Sequence, residues 1–85
     1  MHPRVVHAEA ITDLRVAVTF ANGERGVLDM RPYLVLPVFQ ILADPGQFRR
    51  AHADHGTVAW SEDLDLCPDS VWADAVRVGG DPPAP

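Results

Sequence analysis

The sequence has little cysteine, no lysine and no long apolar run, and each shortage excludes a class of protein. Only one of the 85 residues is cysteine, which excludes an internal disulfide framework and a multi-cysteine zinc site. The longest apolar stretch, residues 34–42, is interrupted by Pro37 and Gln40 and is far shorter than the roughly 20 residues that a membrane-spanning helix needs. No secretory signal pattern opens the sequence. A cytoplasmic protein with no membrane partner is therefore expected.

Negative charge exceeds positive charge in this chain. Twelve acidic residues against seven basic ones, all arginine, give a formal net charge of −5. Because such a chain repels phosphate, we expect no direct contact with nucleic acid. The apolar fraction of 47% indicates a folded core. The length allows one small domain, predicted over residues 1–80, with residues 81–85 as a disordered tail.

The first third of the sequence has the pattern of antiparallel strands. Apolar and polar residues alternate over residues 14–20, as in a strand with one buried face. Asn22-Gly23 follows directly and predicts a hairpin with a type I′ turn, in which both residues have positive φ. With flanking strands over residues 5–11 and 25–30, the sequence predicts a three-stranded meander.

The remainder of the sequence predicts short helices and two more strands. Prolines at 32 and 37 limit residues 33–36 and 38–42 to one or two helical turns each. Asp44-Pro45 is typical of a helix start over residues 45–50, and Cys67-Pro68-Asp69 opens a last helix that Gly79-Gly80 ends. Residues 52–54 and 57–60 form two strands around a turn. The predicted fold is α+β: a small antiparallel sheet, comprising the meander and two short strands, with short helices on one face.

An acidic segment follows the second of these strands, because five carboxylates occur between residues 62 and 74 with no basic residue among them. Asp65 and Asp69 either cap the last helix or belong to a docking surface for a basic partner. Trp60 is either a core residue or a ring edge presented to a ligand where the strand ends. The predicted interaction surface consists of Trp60, Glu62, Asp63, Asp65 and Asp69.

Two alternative functions remain open. His52, Asp54 and His55 lie close together in sequence and, with nearby carboxylates, are candidates for a metal site or for acid/base catalysis. An exposed apolar strand edge is a candidate for self-association into a homo-oligomer. The leading hypothesis is a non-catalytic interaction or regulatory module with a protein partner. We expect no cofactor and assign no catalytic residue.

The order of motifs resembles the small bacterial proteins of the domain of unknown function 2442 family. This resemblance implies an α+β fold and brings no established activity. It also implies an antitoxin-like pairing with a neighbouring small protein, whereas we do not expect the helix-turn-helix extension that some members carry. The motifs are Val16-Ala17-Val18-Thr19-Phe20, Asn22-Gly23-Glu24, Asp29-Met30, Pro37-Val38-Phe39, Leu42, Asp44-Pro45, Phe48, Gly56-Thr57-Val58, Trp60, Asp65-Leu66 and Pro68-Asp69.

Overall fold

Two antiparallel sheets form the framework of the described structure. The computed structural model describes residues 2–78 of the chain, and all statements about its architecture concern that part. The larger sheet has the spatial order β1 (Val5–Ile11), β2 (Arg15–Phe20), β3 (Arg25–Asp29) and β7 (Val76–Arg77). The smaller sheet has the order β4 (His52–Asp54), β5 (Thr57–Ser61) and β6 (Leu64–Asp65).

Four short helical elements connect or flank these strands. Two are 3₁₀ helices that follow β3, and two are α-helices. This arrangement confirms the predicted α+β fold, including the N-terminal meander and the two short strands. It differs from the prediction in dividing the strands between two sheets. The elements are the first 3₁₀ helix (Arg31–Val35), the second 3₁₀ helix (Pro37–Ala43), α1 (Pro45–Phe48) and α2 (Pro68–Asp74).

The alternation predicted for β2 is present in the structure. Val16, Val18 and Phe20 are at most 2% exposed, while the residues between them are half-buried. Strand β2 lies between β1 and β3, so its backbone is hydrogen-bonded on both sides. The buried face of this central strand forms one wall of the core.

The turn between β2 and β3 differs in conformation from the one expected from sequence. At Asn22-Gly23 only the glycine has positive φ, 90°. Gly23 N–H donates to Phe20 O and Phe20 N–H donates to Glu24 O, which closes a three-residue loop. The type I′ prediction is therefore wrong there, because such a loop needs positive φ at its last residue alone.

Two consecutive residues with positive φ occur instead at the turn between β4 and β5, and also at Asp13-Leu14 between β1 and β2. His55 has φ 51° and Gly56 has φ 80°, between the paired residues Asp54 and Thr57. Histidine is among the few side chains enriched in this conformation. A Cβ at Gly56 would also stand 2.8 Å from Nε of Arg4, but that flexible side chain can move, so the positive φ is the main reason for glycine here.

The 3₁₀ helices begin at prolines, as the sequence indicated. Pro32 and Pro37 each occupy the first turn of a helix, where a missing N–H costs nothing. The hydrogen bonds span three residues: Leu36 N–H donates to Tyr33 O, and Phe39 N–H donates to Leu36 O, both at 3.0 Å. Side chains three apart in a 3₁₀ helix lie above one another. This period divides the second 3₁₀ helix into a packed side and an exposed side.

The last helix is shorter than predicted. Helix α2 ends at Asp74, and Val76 pairs with Val27 of β3 as part of β7. Pairing with an existing sheet edge thus overrides the local helical pattern. The predicted disordered tail, residues 81–85, and Gly79-Gly80 lie outside the described residues. Within residues 2–78, no helix has both the length and the apolar character needed to cross a membrane.

Candidate interaction surface

A group of large aliphatic side chains lies exposed on the 3₁₀ helices. Val35 is 75% exposed, Leu36 46%, Val38 59% and Ile41 55%. We call these four residues the aliphatic patch. All four fall within seven consecutive residues, whereas single exposed apolar residues scattered over a surface are ordinary. Their concentration marks this surface as a candidate contact site.

The packing of the second 3₁₀ helix explains why the aliphatic patch faces solvent. Phe39 and Leu42, three residues apart, are 8% and 0% exposed and belong to the core. Val38 and Ile41 precede them by one position each, and so form a parallel row turned away from the core. The helix therefore has apolar residues on both sides, but only the side with Phe39 and Leu42 is buried in the core.

A hollow of about 600 Å³ borders the aliphatic patch at Val35 and Leu36. We call it the Asp74 hollow. Its wall combines apolar groups with hydroxyl and carboxylate groups from three separate parts of the chain. The lining residues are Asp29, Pro32, Tyr33, Val35, Leu36, Ser70 and Asp74.

The Tyr33 hydroxyl donates a hydrogen bond to Oδ2 of Asp74 across this hollow. Burial, followed by the hydrogen bond and the negative charge of Asp74, raises the pKa of Tyr33 to about 12. The phenol therefore remains a donor at any physiological pH. Because Tyr33 also packs edge-on against Phe39, it fixes the position of the Asp74 carboxylate relative to the core.

The second carboxylate of the hollow is already neutralised. Asp29 accepts hydrogen bonds from the Arg31 side chain at 2.7, 3.0 and 3.2 Å and from its backbone N–H at 3.0 Å. The side-chain hydrogen bond from Arg31, then the backbone one, lowers the pKa of Asp29 to about 2. Asp74 has no arginine, lysine or histidine nitrogen within 4.0 Å among residues 2–78. The hollow therefore carries one unneutralised negative charge, on Asp74.

The carboxylates of the predicted interaction surface are all exposed. We call Glu62, Asp63, Asp65 and Asp69 the acidic segment. Asp69 lies 3.4 Å from Nε2 of His2. Neither Asp65 nor Asp69 caps α2 through its side chain, since the cap position is Cys67 and makes no side-chain bond. The alternative of a side-chain cap is therefore not found, but Asp69 does lie in the first turn of α2, where its negative charge interacts favourably with the helix dipole.

Trp60 lies in the core, 3% exposed. Its Nε1–H donates to Phe48 O at 3.1 Å, and its ring lies near those of Phe39 and Phe48. The suggestion of an exposed ring edge at the end of β5 is therefore corrected. The strand continues to Ser61, and the 3₁₀ helix and α1 cover the indole.

The histidine candidates are brought only partly together. His52 and Asp54 line one polar hollow of about 590 Å³, together with Arg50, Glu62 and Asp63. His55 lies in the hairpin turn, with Nδ1 3.1 Å from Oδ1 of Asp54. In the part of the chain that the structure describes, no three histidine, cysteine or carboxylate side chains lie close enough to hold a metal ion.

The aliphatic patch was missed in the sequence because two apolar rows were treated as one apolar stretch. Residues 34–42 contain apolar side chains at almost every position, a pattern typical of a fully buried element. Two prolines five residues apart indicated short helices but not their period. Within the second 3₁₀ helix, counting residues three apart separates Val38 and Ile41 from Phe39 and Leu42. That count was the available signal.

Comparison with known proteins first defines the class of this fold. Residues 5–77 match the sequence profile of the family described as "Protein of unknown function (DUF2442)". The chain belongs to this family, which confirms the resemblance drawn from the motifs. No curated protein matches the chain significantly.

The fold also occurs in a protein of Nitrosomonas europaea whose crystal structure is known and which is named a "Putative DNA Binding Protein". The two share 29% sequence identity and superpose with a TM-score of 0.74 over 88% of this chain. The matched region is 50% of the other chain, so this chain spans about half its length.

That name corrects one expectation drawn from sequence. We expected no direct nucleic-acid contact for this chain because of its net charge of −5, and the name of this structural neighbour contradicts that expectation. Net charge averages over the whole surface, and it does not report local clusters of arginine.

Proposed function

We propose that this chain is a non-catalytic protein-interaction domain that acts in the cytoplasm. The observation that carries the proposal is the aliphatic patch: four large aliphatic side chains, each roughly half exposed or more, on one short segment. Small soluble domains normally bury such residues, and a concentrated apolar surface is the usual mark of a contact site. These four side chains do not belong to the hydrophobic core, since Phe39 and Leu42 are the residues that pack this segment against it.

The size of the patch also indicates what else the interface needs. Burying one half-exposed aliphatic side chain contributes about 1 kcal/mol, so the four together contribute roughly 4 kcal/mol. That free energy alone corresponds to a dissociation constant of about 1 mM. A functional complex therefore needs polar or charged contacts in addition to the patch.

The acidic segment would supply the long-range electrostatic attraction to a basic partner. Its four carboxylates are exposed, and a basic partner would approach such a surface faster and in a preferred orientation. Exposed ion pairs contribute little to affinity, about 0–1 kcal/mol each. We therefore assign the acidic segment to steering and the aliphatic patch to contact.

The partner that family resemblance suggests is a small protein encoded beside this one, in an antitoxin-like pair. A basic partner would complement the charge of this chain. Self-association through the aliphatic patch is the competing form of the same proposal, and light scattering at high protein concentration distinguishes the two.

The test compares two double variants in affinity capture from the native host. Val38→Ser with Ile41→Ser removes the outer row of the second 3₁₀ helix. Val6→Ser with Val76→Ser is the matched control, since those valines are 58% and 71% exposed and lie on strands outside the patch. We expect a protein captured by the wild type and by the control to be lost with the patch variant. Equal capture by all three forms would contradict the proposal.

Contact with DNA is a second candidate, favoured by the name of the Nitrosomonas europaea protein. Arg49 and Arg50 are both exposed, and neither has a carboxylate within 4.0 Å among the described residues. Two adjacent free guanidinium groups are suited to phosphate contacts.

Fluorescence anisotropy with a labelled DNA duplex tests this candidate. Binding through Arg49 and Arg50 should weaken as salt rises and should be lost in the Arg49→Glu, Arg50→Glu variant. Binding that persists in this variant, or no binding at low salt, would contradict a DNA contact at these residues.

A further inference from the structure

The Asp74 hollow combines three properties that a recognition site for a cationic side chain requires. It is concave, it contains an unneutralised carboxylate, and it borders an apolar surface at Val35 and Leu36. A long basic side chain has the same composition, since an apolar stem carries a charged end.

The Asp74 carboxylate is fixed in place before any ligand arrives. Tyr33, half-buried and packed edge-on against Phe39, donates its hydroxyl hydrogen to Oδ2 of Asp74. That bond leaves Oδ1 free to accept. A pre-positioned acceptor loses less conformational entropy on binding than a mobile one. Asp69 and Asp74 are both exposed, but Asp69 has only a histidine beside it.

Charge within the hollow selects the sign of the occupant. Arg31 neutralises Asp29 through several hydrogen bonds, which leaves Asp74 as the single net charge of the wall. An anionic side chain would be repelled there, and a neutral one would leave the carboxylate unpaired on desolvation.

We propose that the Asp74 hollow receives an arginine side chain of a partner protein, carried on an amphipathic segment whose apolar side covers the aliphatic patch. The guanidinium donates to Oδ1 of Asp74 and stacks against the Tyr33 ring, while the partner's apolar side chains lie on Val38 and Ile41. This inference rests on the proposed interaction function, and it names the chemistry of the partner and the residue that selects it.

The test uses two synthetic peptides as probes. One is an amphipathic helical peptide of about 16 residues, long enough to form helix, with leucines along one face and a single arginine. The other has citrulline, a neutral isostere, in place of the arginine. Each is titrated into the isotopically labelled full chain, and binding is followed by backbone amide chemical shifts.

We expect the arginine peptide to shift the amides of residues 33–41, Ser70 and Asp74, and to bind about three- to tenfold more tightly than the citrulline peptide. Asp74→Asn should remove that advantage. The fold should be preserved, because asparagine retains an acceptor for Tyr33. Asp69→Asn is the control and should leave both affinities within about twofold.

Three results would overturn the inference. They are no saturable shift with the arginine peptide, shifts centred on residues 61–69, and equal losses in the Asp69 and Asp74 variants. Failure here is separable from failure of the interaction function. If host-partner capture depends on Val38 and Ile41 but not on Asp74, the interaction function stands and the arginine site does not. If capture is independent of all three residues, both fail.

Discussion

The two sides of the second 3₁₀ helix contain similar residues in opposite environments. Phe39 and Leu42 are buried, while Val38 and Ile41, one position earlier, are more than half exposed. Hydropathy alone does not distinguish the two rows. The two rows differ in burial and therefore in role. The packed side stabilises the domain, and the exposed side is available to another molecule.

The largest expected effect is on the free energy of unfolding, which should differ strongly between alanine variants at two adjacent positions, Leu42 and Ile41. Leu42→Ala leaves a cavity at a fully buried site and should lower the free energy of unfolding by about 2–5 kcal/mol. Ile41→Ala removes a side chain that is 55% exposed and should change it by no more than about 0.5 kcal/mol. Urea denaturation followed by circular dichroism measures both. Similar losses at the two positions would show that Ile41 supports the fold.

A smaller effect is expected where the packed side meets Trp60. Trp60→Phe removes the Nε1–H donor to Phe48 O and some ring volume, at a cost of about 1–2 kcal/mol. The loss is limited because Phe48 O also accepts from Ala51 N–H. Val38→Ala serves as the exposed-side control and should be near neutral. The same denaturation experiment applies, and no change in Trp60→Phe would contradict a structural role for the indole.

Tyr33, in the first 3₁₀ helix, packs against Phe39 on the packed side of the second. Its titration provides a spectroscopic test of that packing. It is the single tyrosine of the chain, so phenolate absorbance reports on it alone. The pKa of Tyr33 is raised to about 12 in the folded protein from a model value of 10.0, with burial as the largest cause. Folded-state stability from this group is fully present below pH 10 and is lost as pH rises from 10 through 12.

In Asp74→Asn we expect the pKa of Tyr33 to fall while remaining above its ordinary value, since burial persists when the charge is removed. An unchanged titration curve would contradict the hydrogen bond between these residues. A titration near pH 10 in the wild type would contradict the burial of Tyr33.

The smallest effect is expected at the exposed pair of Asp29 and Arg31. The pKa of Asp29 is lowered to about 2, principally by the side-chain hydrogen bond from Arg31. Stability from this carboxylate is present above its unfolded value of 3.8 and is lost as pH falls toward 2. Arg31→Gln should return the pKa of Asp29 toward its ordinary value, as followed by carboxyl carbon chemical shifts, with little change in unfolding at neutral pH. A pKa that stays near 2 would show that Arg31 is not the cause.

Local patterns predicted much of the fold. Strand alternation placed β2, and Asp44 accepts from Gly46 N–H at the start of α1 as its position before Pro45 indicated. The details that failed depend on tertiary context. Val76 continues a helical stripe in sequence but pairs with β3, and the loop at Asn22-Gly23 takes a different form from its preferred one.

The candidate site was less predictable than the fold. The acidic segment was proposed from the sequence because the carboxylates between residues 62 and 74 have no basic residue among them. The aliphatic patch and the Asp74 hollow were not, for two physical reasons. Exposure in a 3₁₀ helix depends on a three-residue period that proline spacing does not reveal. Tyr33 and Asp74 are 41 residues apart in sequence and come together only in the folded chain.

Site-specific photo-crosslinking tests the central claim most directly. A photoreactive amino acid is placed at Val38, in the aliphatic patch, and separately at Val6 of β1. The two positions are similarly exposed, Val38 at 59% and Val6 at 58%. In the native host, the patch position should yield one defined adduct with another protein, and the β1 position should not. Adducts of the same kind and yield from both positions, or none from Val38, would contradict a protein-binding role for the exposed side of the 3₁₀ helix.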